Sequence, residues 1–104
     1  MPYVPDDIIY HIHLWKSVKD TLDAETDAYK IMCETSAEYD KLNAGLETLT
    51  GDWQNATDET RRDLTARLLE AIAELARIGK IYETDIAVAQ TATQQYLAAK
   101  ALVA

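Results

Sequence analysis

The sequence predicts an all-α protein, an antiparallel two-helix hairpin that associates into a four-helix bundle dimer. Three observations predict it. Apolar residues recur with heptad spacing in both halves of the chain. Helix breakers are nearly absent beyond residue 5. A short polar segment with a glycine and a tryptophan sits near the middle. The chain has 104 residues, enough for one domain spanning 1–104, and 48% of them are apolar, enough for a packed core.

The first helix is expected from about residue 7 to about residue 49. It starts after Pro5, where Asp6 can act as N-cap. Both prolines, Pro2 and Pro5, precede it. Read in sevens, one series is Ile8, Trp15, Leu22, Tyr29 and Ser36, and a second is His11, Val18, Glu25, Met32, Tyr39 and Leu46. These fit the two apolar positions of a heptad seam. Leu14, Ala28, Leu42 and Leu49 form a third row beside them, and Lys16, Asp20, Asp23, Asp27, Lys30, Glu34 and Lys41 take the polar side. Gly45 weakens the last turn by about 1 kcal/mol relative to alanine.

The second helix is expected from about residue 56 to about residue 101. Leu68, Leu75, Tyr82, Ala89, Tyr96 and Val103 recur every seven residues. Leu64, Ala71, Ile78, Ala92 and Ala99 complete the seam, with Ile72 and Ile86 beside it. Asp58–Arg62 and Asp63–Arg67 are acid-before-base pairs at four-residue spacing, each contributing a few tenths of a kcal/mol. Gly79 lies on the edge of the apolar stripe, where it would let another helix approach closely or is simply tolerated.

A connection of residues 50–55 is too short for anything but antiparallel neighbours. Gly51 suits the left-handed position that ends a helix, and Asp52 and Asn55 are candidate N-caps for the next. Each helix carries more apolar rows than one partner can cover. Ile9, Ile12 and Ile31 lie off the seam of the first, and Leu69, Ile81, Val88, Leu97 and Leu102 off that of the second. Ile12, Ile31, Leu69, Ile81 and Val88 are therefore the candidate dimer-interface residues.

The formal net charge of −8 excludes the basic footprint that nucleic acid or an anionic membrane surface requires. Residues 1–50 carry ten acids and four bases, net −6, and residues 51–104 eight acids and six bases, net −2. No run is long enough for a membrane span, and no signal peptide is visible, so a protein made in the cytoplasm is expected. Cys33 is the sole cysteine, which rules out an internal disulfide. It reads as a small buried apolar residue, with an intermolecular disulfide as the alternative.

No catalytic pattern emerges. His11 and His13 are two apart and point to different sides of a helix, so they cannot share a metal, and no Glu-X-X-His motif occurs. His11 reads as a seam or partner-contact residue and His13 as a surface one. No glycine-rich phosphate loop and no Gly-X-Ser-X-Gly are present. The expectation is a non-enzyme with no cofactor and no metal.

The segment Leu49-Thr50-Gly51-Asp52-Trp53-Gln54-Asn55-Ala56 is the most informative stretch. A tryptophan is costly to leave exposed in a polar turn, so Trp53 should pack against the helix ends or a partner's groove. With Leu49, Gly51, Trp53 and Ala56 in these places, the chain resembles the WXG family, the small Trp-X-Gly, ESAT-like substrates of type VII secretion. The family motif has glycine where this chain has Asn55, a residue that also tolerates left-handed and capping conformations. The resemblance implies a helical hairpin with the motif in its turn, Leu49, Gly51, Trp53, Asn55 and Ala56 as a turn or partner-binding motif, and pairing as a homodimer or a heterodimer with a related hairpin.

It also implies export by a type VII system, as a dimerising effector or as a companion of a larger substrate, with the secretion ATPase or a toxin targeting domain as further partners. Exported members often carry a tyrosine followed four residues later by an acid. Here Tyr82 is followed by Ile86 and Tyr96 by Lys100, while Asp85 stands only three residues after Tyr82. That departure places the export signal on a partner and favours the companion role. The alternative to the whole family reading is a cytoplasmic helical adaptor or immunity-type protein that is not exported.

Overall fold

A computed structural model describes residues 6–103, with side chains from Ile8 onward. Two helices account for almost all of it: α1, Asp6–Asn55, and α2, Asp58–Ala101. They form a helical hairpin with no strand among the described residues. Asp6 is the first residue of α1, and its side chain lies outside those described.

The burial pattern shows which rows make the seam. In α1 the covered positions run Leu14, Val18, Thr21, Glu25, Ala28, Met32, Thr35, Tyr39, Leu42, Leu46, Leu49 and Trp53, alternating steps of four and three. In α2 they run Arg61, Leu64, Leu68, Ala71, Leu75, Ile78, Tyr82, Asp85, Ala89, Ala92, Tyr96 and Ala99 on the same rhythm. This alternation is what two helices sharing one heptad seam require. The α2 seam is the expected one, with Arg61 and Asp85 added and with Val103 exposed.

The α1 register differs from expectation. The series Ile8, Trp15, Leu22 and Tyr29 is exposed, and the row of Leu14, Ala28, Leu42 and Leu49 takes its place in the seam. The reason is persistence along the helix. The Ile8 series continues as Ser36, Asn43 and Thr50, whereas the Leu14 row ends in Leu42 and Leu49. A helix pair has one seam, and the row that remains apolar to the bend occupies it. His11 is exposed as well, as is His13.

By its contacts the chain divides into two compact units. The bend unit is Met32–Thr84, and the terminal unit joins Met1–Ile31 with Asp85–Ala104. In the bend unit Ile78 is buried, 3% exposed, with Thr35 the buried polar residue. The Tyr39 and Tyr82 rings stack with centroids 6.5 Å apart. Gly79 faces Tyr39, and a Cβ there would stand 3.5 Å from the ring, an ordinary contact. On the surface, Arg67 and Asp63 pair at 3.6 Å and Arg77 Nε donates to Glu74 at 3.0 Å. The hydrogen bond from Arg77 holds the Glu74 carboxyl below the usual carboxylate range. Both pairs are solvent-exposed and contribute little to stability. Among the described residues of the terminal unit the buried apolar ones are Ala28, Ala89, Ala92 and Ala99, all alanine.

The glycines are helical. No described residue has a positive φ, so Gly51 is not in the left-handed conformation expected of it. A Cβ at Gly45 or Gly51 would meet nothing within 4 Å. Gly45→Ala and Gly51→Ala are therefore each expected to raise stability by about 0.5–1 kcal/mol, since alanine restricts the unfolded chain without a clash. Urea unfolding checks this, and a loss of stability at Gly51→Ala would show that residue 51 needs glycine.

Candidate binding surfaces at the bend and along the helices

The connection between the helices is shorter and later than the expected 50–55. α1 continues through Asn55, leaving only Ala56 and Thr57. Asp52 and Asn55 are thus in α1 and cap nothing in α2. The cap of α2 is Thr57, whose carbonyl accepts the Arg61 N–H at 3.0 Å and whose hydroxyl lies 3.1 Å from that of Thr60.

Arg61 explains why α1 extends so far. Its Nε donates to the Trp53 carbonyl at 3.1 Å and its Nη2 to the Gln54 carbonyl at 3.2 Å. These are among the last carbonyls of α1, which have no partner within the helix, and a cation there also complements the helix dipole. The Ala56 N–H closes the final turn on the Trp53 carbonyl at 3.3 Å. The guanidinium lies 4.7 Å from the centre of the Trp53 ring, within cation–π range. Trp53 Nε1 donates to Thr65 Oγ1 at 2.9 Å, and that hydroxyl donates to the Arg61 carbonyl at 2.6 Å. Trp53, Arg61 and Thr65 thus form a closed circuit joining the end of α1 to the first two turns of α2.

Arg61 and Thr65 were absent from the expected motif. The available signal was register: Arg61 stands seven residues before Leu68, in line with the α2 seam. Of the motif residues, Leu49 is a seam position, Gly51 and Ala56 are half-buried, Trp53 is in the last turn of α1, and Asn55 is exposed. Trp53 also lines a shallow groove of about 280 Å³ with Thr65, Leu68, Leu69 and Ile72. A second groove of about 410 Å³ runs over Leu42, Gly45, Leu46, Leu49 and Ala71. Both belong to the bend unit.

The five candidate interface residues are all on the outside: Ile12, Ile31 and Val88 in the terminal unit, Leu69 and Ile81 in the bend unit. Most of the exposed large apolar side chains belong to the terminal unit, and Trp15 is 59% exposed. Cys33 is exposed and not a buried apolar residue, because it stands one position off the seam residue Met32.

Charge is unevenly divided. The bend unit carries eleven acids and six bases, net −5, and the terminal unit seven acids and four bases, net −3. From Ile86 to Val103 the one charged side chain is Lys100. Among the described residues no group of three His, Cys, Asp or Glu side chains is placed to hold a metal ion. Among those residues, too, no helix is long and apolar enough to cross a membrane. Comparison with protein-family models, with curated proteins and with solved structures finds no match to this chain.

Proposed function

We propose that the protein is a non-catalytic helical hairpin of the ESAT-like, type VII secretion class that works by pairing with a second helical hairpin into a four-helix bundle. It acts as a dimerising secreted effector or as the companion of a larger substrate. One observation carries the reading: alanines lie inside the terminal unit while isoleucine, leucine, tyrosine and tryptophan lie outside. A hairpin that hides its small residues and shows its large ones has its main apolar surface still to bury. The Leu49–Ala56 segment supports the family part of the proposal by its resemblance. Trp53 and the groove beside it offer a docking point for the secretion ATPase or a toxin targeting domain. The absence of an acid four residues after Tyr82 or Tyr96 favours the companion role.

Export and pairing are tested together in a host with a type VII system. Culture supernatant and cell pellet are compared with and without the secretion ATPase, and the chain is co-purified and its companions identified by mass spectrometry. The expected result is ATPase-dependent appearance in the supernatant, together with a helical partner or a second copy. Retention in the pellet with every partner present would overturn export and leave a cytoplasmic adaptor or immunity-type protein.

A further inference from the structure

We infer that the groove of the bend unit over Leu42, Gly45, Leu46, Leu49 and Ala71 is a docking site for a cationic amphipathic helix of another protein. The inference rests on neither pairing nor export and concerns a groove that those readings do not use.

The first observation is the shape and lining of the groove. It has a volume of about 410 Å³, and its floor is made of half-buried Leu42, Leu46, Leu49 and Ala71 with exposed Gly45 among them. From Glu38 to Leu49 it follows α1 for about 17 Å, three helical turns. At 100° per residue, Leu69 and Ile72 lie on one side of the Leu68–Leu75 line and Glu70 and Glu74 on the other, so this groove and the Trp53 groove open on opposite faces of the bend unit. The backbone of both walls is helical and bonded within itself, which leaves no edge for an extended peptide. What the groove offers is side chains at helical spacing, 42, 45–46 and 49, which the ridge of another helix fits.

The second observation is Gly45. It lies inside a long helix, it has no positive φ, and a Cβ there would meet nothing within 4 Å. A glycine inside a helix costs about 1 kcal/mol relative to alanine, and no packing among the described residues makes use of it. Gly51 is equally unconstrained but lines neither apolar groove. In the floor of the groove the missing side chain leaves room for a second backbone to come close.

The third is charge. The α1 rim carries Glu34, Glu38, Lys41 and Asp52, and the α2 rim Asp63, Arg67, Glu70, Glu74 and Arg77, six acids against three bases. Arg67 is engaged by Asp63 at 3.6 Å, and Arg77 Nε by Glu74 at 3.0 Å, each within α2. Arg77 also feels the charge of Glu38. Among the described residues Glu34, Asp52 and Glu70 make no ion pair, so the net field over the groove is negative, with Lys41 the one base not held by an acid of its own helix. An apolar stripe flanked by lysines or arginines meets both the floor and this field. A second copy of the chain, net −8, brings like charge to the same rims.

Fluorescence anisotropy with the full chain and labelled synthetic peptides tests the inference. The probe is a helix of about 18 residues, five turns, with leucines on one face and lysines elsewhere. One control has the same composition shuffled to abolish the apolar face, and the other has glutamate for lysine. The lysine helix is expected to bind with a micromolar dissociation constant, and both controls at least about tenfold more weakly. Gly45→Leu fills the floor and should weaken binding at least about tenfold with no fall in melting temperature. Glu34→Lys combined with Glu38→Lys should weaken it as much and flatten its salt dependence. Ile72→Glu, on the opposite face, should leave it within about twofold. Should Gly45→Leu fail to fold, the charge-reversed pair decides. No binding at high micromolar concentration overturns the inference, as does equal binding of either control. Binding indifferent to Gly45→Leu and to the charge reversals, or lost only with Ile72→Glu, overturns it too. Any of these failures leaves the pairing reading, which stands on the terminal unit, intact.

Discussion

Ile78→Ala is expected to lower folding stability by about 2–4 kcal/mol, within the range for truncating a buried isoleucine. Among the described residues the buried side chains are alanines, Thr35 and Ile78, so Ile78 is the largest of them. It sits in the α2 seam between Leu75 and Tyr82, in the unit where Tyr82 stacks on Tyr39. Truncation removes three methyl or methylene carbons and leaves a space that the surrounding structure fills only in part. A chain of this length loses about 4–8 °C of melting temperature per kcal/mol, so a fall of at least about 8 °C is expected. The control is Ile81→Ala, three residues on and 40% exposed, which should cost less than about 1 kcal/mol. Both are measured at one chain concentration, because association would add to stability by mass action. Equal losses at the two positions would refute the assignment of Ile78 to the core.

Trp53→Ala is expected to cost about 2–3 kcal/mol, somewhat less than a fully buried tryptophan because the ring is half-buried. Three features disappear together: the wall that Trp53 gives to the groove it lines with Leu68, Leu69 and Ile72, the hydrogen bond to Thr65, and the stacking under Arg61. Arg61→Ala should cost about 1–2 kcal/mol, since two α1 carbonyls lose a charged donor but remain within reach of water. The two losses should not add. A double-mutant cycle is expected to give a coupling of about 0.5–2 kcal/mol, the mark of groups in one network. Amide exchange should place the damage at residues 51–55, where α1 would fray. Additive losses, or fraying elsewhere, would show that the circuit at the bend does not hold the end of α1. The same variants bear on binding. If Trp53→Ala weakens partner capture beyond what its lost stability accounts for, the ring also contacts the partner.

How much of this was legible in the sequence depended on competition between rows. The α2 seam was legible because a single pair of series, through Leu64, Leu68, Leu75, Ile78 and Tyr82, dominates the bend half, and alanines continue it. In α1 two series compete over residues 8–29, and the one with the larger side chains lost. Size in one half of a helix does not choose a seam; persistence over its whole length does. The bend was misplaced for a related reason. Gly51 is a plausible helix terminator by composition, but a glycine ends a helix only where nothing stabilises its continuation. Arg61, twelve residues from the start of that segment, supplies the stabilisation.

By itself the sequence determined that the chain is helical, that it doubles back near its middle, and that it carries more apolar surface than one hairpin can cover. These follow from spacing and composition, which act locally and can be counted along the chain. Only the tertiary structure decided which rows face inward, that Trp53 belongs to a helix and not to a turn, and that alanines fill the terminal unit while Trp15 faces outward. Those choices are settled by contacts between residues on different helices, such as Arg61 with the carbonyls of Trp53 and Gln54 and Thr93 with Tyr29, whose energies no periodicity within a single helix can rank.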